Sequence, residues 1–367
     1  MTFNINRDVL LKPLSAVASI VEKRHTLPIL SNVLIEAKDK QLTLTATDLE
    51  MQISLVIATE STTALNTTLS ARKLLDICRS LPESSDINLT AAESRITLKA
   101  GKSRFNLQTL PAADYPLMSK AISTNNLLIT IAQNKLKQLL KQVEFAMAQQ
   151  DIRYYLNGLL IEVNGNKLSV VGTDGHRLSF TCTELAKSYD KQEFILPRKT
   201  VIELIKLLDD SEHDANIEIS QAQVNFSFGE IRLISKVIDG KFPDYNRVIP
   251  TGHQNSFIAD RVAILTAMQR ASILSNEKYR GIRMVLSENS LRMISTNSEQ
   301  EEAEEELEIN YQQDALDIGF NVTYMIDVLN NINSQNVMFS FADANSSCLV
   351  TVAEDPNYKY VVMPMRI

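Results

Sequence analysis

The residues best suited to chemistry in this 367-residue chain stand together at Thr173-Asp174-Gly175-His176-Arg177. A carboxylate two residues before an imidazole has the makings of a general base and the group that orients it. A reaction also needs an acceptor of the base's help, and no Ser or Cys stands beside the pair in a recognisable elbow. The segment also has two relatives in the chain. Thr47-Asp48-Leu49-Glu50 lies 126 residues earlier (173 − 47) and Thr296-Asn297-Ser298-Glu299 lies 123 residues later (296 − 173). In those copies Glu50 and Glu299 stand where His176 does. The segment therefore reads as a structural turn or a pocket wall before it reads as a catalytic pair.

Other candidate chemistry falls away. Gly101-Lys102-Ser103 resembles the end of a phosphate loop, but position 96 is Ile96 and an alternating strand pattern follows in place of a helix. The four histidines, His25, His176, His213 and His253, have no zinc-like spacing. Cys78, Cys182 and Cys348 form no CxxC pair and sit among apolar neighbours, as core thiols of a reduced, cytoplasmic protein do. No apolar run approaches the ~20 residues of a membrane helix, and Met1–Ile20 has no charged-then-apolar leader. The expectation is a protein without metal, cofactor, membrane or enzymatic activity.

The three turns belong to a longer pattern. Each follows two strand-like runs, Val33–Ala37 with Gln41–Ala46, Gly158–Val163 with Lys167–Val171, and Arg283–Leu286 with Ser290–Ser295. A second landmark keeps the same register: Ser70–Ile77, Leu196–Glu203 and, more weakly, Phe320–Asp327. A period near 125 exceeds the ~20–50 residues of solenoid repeats and matches the commonest domain size. Three homologous domains follow, 1–124, 125–252 and 253–367, with polar boundaries near Ser119–Asn126 and Pro250–Asn255.

Each repeat opens on an alternating strand and a helix, read at Arg7–Ile20, Gln133–Met147 and Asp260–Ala271. In the second of these, Leu136, Leu139, Leu140, Val143 and Met147 form an apolar stripe with lysines opposite. Pro13 should kink or delay the first. A second helix follows at Arg72–Arg79, Arg198–Asp209 and Val322–Ile332. With alternating runs and turns such as Asn164-Gly165 and Asp239-Gly240, the order reads β-α-β-β-β-α-β-β-β, an α+β fold of two helices on antiparallel sheets.

Charge is unevenly spread. The six helices hold 13 Lys/Arg and 7 Asp/Glu, a net of +6. With 37 basic and 44 acidic residues in all, the remainder carries 24 against 37, or −13. Helices that share one surface facing a polyanion fit this division, as do ordinary solvated faces. The acidic run Glu299–Glu308 lies between strand-like segments, where it can meet a basic surface on another copy. Lys73, Arg95, Lys99, Lys102 and Arg104 of the first repeat are candidates for that surface.

The triplication and several segments together resemble the bacterial DNA polymerase III beta subunit family, the sliding clamps. Those segments are Leu27–Leu30, Thr47–Glu50, Leu110–Pro116, Asp151–Gly158, Thr173–Leu178, Ile273–Lys278, Gln300–Glu305 and Tyr360–Ile367, in order from end to end. The resemblance implies a processivity factor, not an enzyme, that encircles duplex DNA as a head-to-tail ring-shaped homodimer. Its implied partners are the replicative polymerase's catalytic subunit, the clamp loader, and other polymerases and repair proteins bearing short peptides. It also implies a cytoplasmic, nucleoid-associated location. Elementary geometry agrees. At ~8–10 Å spacing, six helices close a circle only ~15–19 Å across at their axes, whereas twelve give roughly 30–38 Å. Subtracting about 10 Å for half a helix on each side leaves room for a duplex.

The family's site residues carry over position by position. DNA contacts fall on Arg24, Arg72, Gln150 and Tyr154, with Arg79 and Lys199 as additions. The dimer contact falls on Phe105 and Leu107 against Ile273 and Leu274, with Lys73 and Arg104 facing Glu299 and Glu302. The partner-peptide pocket falls on Leu156, Thr173, Gly175, His176, Arg177, Leu178, Pro243, Arg247, Val248, Asn321, Tyr324, Ser347, Val361, Val362, Met363, Pro364, Met365 and Arg366. There Arg177, Arg247 and Arg366 are read as rim donors over an adaptable Met/Val floor. Taken alone, Val361–Met365 reads as a terminal edge strand. Asn345, where the family has an apolar residue, is expected to make a pocket wall more polar, Ile367 replaces leucine conservatively, and Tyr279 lies next to the pocket. Two other readings stay open: a small-molecule enzyme built on Asp174, His176 and Arg177, and a DNA-binding scaffold that does not close.

Overall fold

The strands and helices follow one another so directly that a single polar side chain often ends one and starts the next. Asn6 accepts from the Asp8 N–H at 2.9 Å, Asp260 from the Ala263 N–H at 2.8 Å, and Asn321 from the Thr323 N–H at 2.9 Å. Each satisfies an N–H that the first helical turn leaves without a partner. The structure, a computed structural model, describes residues 2–21, 27–118, 127–220 and 222–366. Arg24, the boundary segment Ser119–Asn126 and Ile367 lie outside the described residues.

The first repeat comprises β1 (Thr2–Asn6), α1 (Arg7–Ala18), β2 (Asn32–Lys38), β3 (Gln41–Thr47), β4 (Met51–Ala58), β5 (Leu65–Ser70), α2 (Ala71–Ser80), β6 (Asp86–Ala92), β7 (Arg95–Ala100) and β8 (Ser103–Gln108). The second has β9 (Leu127–Ala132), α3 (Gln133–Val143), β10 (Gly158–Thr173), β11 (Arg177–Pro197), α4 (Arg198–Leu207), β12 (Asp214–Ile219), β13 (Gln223–Phe228) and β14 (Ile231–Lys236). The third has β15 (Asn255–Asp260), α5 (Arg261–Ala271), β16 (Gly281–Ser287), β17 (Ser290–Thr296), β18 (Glu302–Glu308), β19 (Leu316–Asn321), α6 (Val322–Asn331), β20 (Asn336–Phe341), β21 (Cys348–Val352) and β22 (Asp355–Val362). All ladders between these strands are antiparallel, as the α+β reading requires.

Two compact units result, Met1–Lys137 with Ile202–Val237, and Gln138–Val201 with Ile238–Ile367. The first holds an eight-stranded sheet, β5-β2-β3-β4-β14-β13-β12-β9, and a four-stranded one, β1-β6-β7-β8. Leu10, Leu14 and Val17 of α1 and Leu74, Leu75 and Cys78 of α2 are buried in it. α1 starts at Arg7 and runs through Pro13, so the proline does not delay it. The second unit holds a six-stranded sheet, β10-β11-β22-β21-β20-β15, and a four-stranded one, β18-β17-β16-β19. Stacked Phe257 and Phe339 rings, 5.0 Å apart, sit in its core. Each of the three cysteines is buried, and burial pushes the Cys78 thiol up to about 11.

Four expectations are corrected. Four strands, not three, separate the two helices in the first and third repeats. In the second repeat Gly165 has the left-handed φ of +60°, but β10 continues through it with register shifts. The acidic run is no connector: Glu302–Glu308 is strand β18, at the free edge of its sheet. Its two faces differ, for Glu304 reaches Arg292 at 2.5 Å, whereas half-buried Glu305 is gripped by Arg270 at 2.6 and 2.7 Å. Finally, Val361 and Val362 belong to an interior strand, zipped between β11 and β21 and buried.

Candidate functional site

The Thr-Asp turn is built by its own side chains. Thr173 Oγ1 donates to the Arg177 carbonyl at 2.6 Å and accepts from the Gly175 N–H at 3.1 Å. Asp174 Oδ1 accepts the N–H groups of His176 and Arg177 at 2.9 and 3.0 Å. Thr47 and Asp48 repeat these bonds around Leu49, whose φ of +74° matches Gly175 at +90°. The third copy is one residue longer, since the Asn297 N–H donates to the Glu301 carbonyl and Gln300 takes the left-handed position. Both oxygens of Asp174 are thus spent on backbone and on Arg177, and its carboxylate does not orient His176. The enzyme reading loses the group that would orient its base.

A cavity of about 330 Å³ opens beside this turn in the second unit. Leu156, Thr173, Gly175, His176, Arg177, Leu178, Pro243, Arg247, Val248, Ser347, Val361 and Met363 line it. Arg153, Tyr155, Phe242 and Tyr245, which the sequence reading left out, complete the walls. Tyr245 stacks on Phe180 at 5.6 Å and donates to Glu162 at 3.1 Å, and burial with that carboxylate raises its hydroxyl to about 12. The lining is therefore largely aromatic and aliphatic, with polar groups among it. Asn321, Tyr324, Val362, Pro364, Met365 and Arg366 are not among the walls. Asn321 caps α6, Val362 is buried opposite Arg177, and the Met365 N–H bonds the Gly319 carbonyl. Asn345 is exposed in the 343–346 turn and is not among the residues that line the cavity, two residues before Ser347, which is. Tyr279 is 57% exposed beneath the Lys278 ammonium, 5.3 Å from its ring.

Arg177 is no rim donor. Its guanidinium bonds Asp174 at 3.1 Å, Asp327 at 2.6 Å and the Phe145 carbonyl at 2.6 Å, and lies 4.5 Å from the Tyr324 ring centroid. Tyr324 and Asp327 thus act on the cavity through Arg177, fixing the wall. Arg247 is 87% exposed and paired with Asp244 at 3.1 Å.

The loop before the cavity is pinned at both ends. Asn157 accepts the Asp151 N–H and donates to the Asp151 carbonyl, both at 2.9 Å. Arg153 forks onto the Asp151 carboxylate at 3.0 and 2.8 Å and donates to the Asp174 carbonyl at 3.1 Å. That fork and the Arg153 N–H hold the Asp151 carboxyl down to about 2. A depressed carboxyl stabilises the fold above its unfolded value of ~3.9, and this contribution is lost as pH falls through about 2. NMR titration of the Asp151 carboxyl carbon is expected to give a midpoint near 2; a midpoint near 4 would show the fork open in solution.

On the same loop Gln150 is exposed with φ +56°, and Tyr154 is 58% exposed, edge-on to Tyr155. Arg72, Lys73 and Arg79 project from α2 into solvent, while Lys199 is half-buried on α4 with a partner of its own. β8 is the free edge of its sheet, with Phe105 and Leu107 half-buried and Arg104 exposed. Ile273, just after α5, is 75% exposed, Leu274 is half-buried, and Glu299 and Glu302 are exposed. Among the described residues no cluster of His, Cys, Asp or Glu could hold a metal, and no helix is long and apolar enough to cross a membrane.

Comparison with known proteins agrees with this geometry. The DNA polymerase III beta subunit N-terminal, central and C-terminal domains match residues 1–119, 130–244 and 246–366. The chain is 47% identical to the beta sliding clamp of Pseudomonas aeruginosa and 42% to that of Escherichia coli, over all of both chains in each case. The crystal structure of the Pseudomonas aeruginosa subunit superposes with a TM-score of 0.96 over all of both chains, at 47% identity. The Caulobacter crescentus pol III beta structure gives 0.94 at 37% identity, again over all of both. The chain belongs to the DNA polymerase III beta subunit family. It has that family's α+β fold of three homologous domains, each with two helices on antiparallel sheet.

Proposed function

We propose that the chain is a DNA sliding clamp. Two copies join head to tail, close around duplex DNA, and tether the replicative polymerase and other peptide-bearing partners without chemistry of their own. The observation that carries this reading is the match of all three beta-subunit domains, in order, along the chain. We place the domain limits at 1–124, 125–252 and 253–367; the C-terminal match begins at 246, ahead of the last of these. Arg24, Arg72, Arg79, Gln150, Tyr154 and Lys199 touch phosphate and sugar, so the clamp slides without reading bases. Partner peptides enter the cavity of about 330 Å³. The junction adds the free edge of β8 to that of a partner's β18, which satisfies two rows of unpaired backbone groups. There Phe105 and Leu107 cover Ile273 and Leu274, and Lys73 and Arg104 face Glu299 and Glu302. Such a clamp works in the cytoplasm, on the nucleoid.

The deciding experiment is topological. The protein is loaded by its clamp loader and ATP onto nicked circular DNA, the complex is isolated at high salt, and the DNA is then linearised. Release only on cutting is the expected result. Salt-sensitive binding indifferent to cutting would leave an ordinary electrostatic binder. In the same assay Arg72→Ala is expected to reduce loading several-fold with the dimer mass unchanged, and light scattering at the monomer mass would contradict it.

A further inference from the structure

The helices do not share their charge evenly among the repeats. Where the first and second repeats begin their second helix with Arg72-Lys73 and Arg198-Lys199, the third has Val322-Thr323, and Val322 is buried. α6 has no Lys or Arg at all, and its one acid, Asp327, is bonded to Arg177. α5 has two cations, both occupied. Arg261 turns its guanidinium onto the carbonyls of Ser334 and Leu329 at 2.9 and 3.0 Å, and Arg270 forks onto Glu305. Val262, Ala263 and Gln269 are the uncharged side chains that α5 leaves exposed. By contrast, Lys12 on α1, Arg72 and Arg79 on α2, and Lys141 on α3 are exposed and bond no other described residue.

A cation already paired with a carboxylate or spent on carbonyls has little to offer a phosphate, whereas an exposed unpaired one releases the phosphate's counterion on contact. On α4 Arg198 donates to the Met147 carbonyl and Lys206 pairs with Glu203, and on α3 Lys137 pairs with Asp210. We infer that duplex DNA is held by α1 and α2 of the first repeat and by α3 of the second, with Lys12 and Lys141 as further phosphate contacts. The third repeat presents a helical wall without phosphate-binding charge. This rests on the clamp reading. The third repeat's second helix is instead committed to the peptide cavity, through Tyr324 and Asp327 on Arg177.

The test measures binding of the full-length protein to a short linear duplex as salt is varied, for K12Q, K141Q and R270Q, with dimer mass checked by light scattering. Each lost phosphate contact lowers the slope of log K against log salt by about 0.9. K12Q and K141Q are expected to lower it by at least that much, and R270Q to leave it unchanged. An R270Q slope reduced as far as that of K141Q, or unchanged slopes for both lysine variants, overturns the inference. Retention of the wild type on nicked circles separates the two failures. If retention holds while the slopes do not sort by repeat, only this inference falls; if retention is absent, the clamp reading itself falls.

Discussion

Arg177→Ala is expected to destabilise the second unit by about 3 kcal/mol, since removing one partner of a buried ion pair leaves the others uncompensated. The side chain of Arg177 is 10% exposed, against 17% for Asp174 and 34% for Asp327. The half-open position of Asp327 keeps the loss at the low end of the ~3–5 kcal/mol range for buried pairs. The Phe145 carbonyl also loses its donor and the Tyr324 ring its cation. In calorimetry this amounts to a fall in Tm of roughly 6–12 °C for a unit of this size. Arg177→Lys keeps the charge but not the three-way fork, and should fall between. A shift under 2 °C for the alanine variant would show that the hub does not hold the wall. Because the guanidinium lines the cavity, peptide affinity should fall along with the Tm.

Ile273→Ala combined with Leu274→Ala should convert the dimer to monomers of 41.1 kDa. Ile273 stands 75% exposed in the single chain, so covering it at the proposed junction would be nearly all gain. Two truncated aliphatic side chains remove about 3 kcal/mol at each junction. A ring has two junctions, giving about 6 kcal/mol, or more than 10⁴-fold in the dissociation constant. Light scattering at micromolar concentration reads the result directly, and an unchanged dimer mass would remove Ile273 and Leu274 from the interface.

Much of this was legible in the residues, and the exceptions share a cause. Helix positions were readable to within a few residues because apolar stripes and caps are local. The Thr-Asp turn was readable because its hydrogen bonds close within five residues. The role of Arg177 was not, since Asp327 lies 150 residues away and no local pattern pairs them. The interior place of β22 was hidden likewise: alternation tells which face of a strand is buried, never which strand lies alongside. The acidic run concealed a strand because Glu occupies both faces, and only the neighbouring Arg270 separates Glu305 from the rest. Phe242 and Tyr245 flank Pro243, a residue already singled out, and their aromatic spacing around it was the unused signal.

The two free edges carry opposite signs. β18 turns Glu302, Glu304, Glu306 and Glu308 outward, while Arg104 on β8 is joined by exposed Lys99 and Lys102. Brought against its own copy, β18 meets a row of like charges, which disfavours that pairing, whereas the basic residues in and beside β8 attract it. Each chain therefore accepts a neighbour in one orientation only, and every copy in a closed assembly circulates in the same sense. An object built that way has a front and a back.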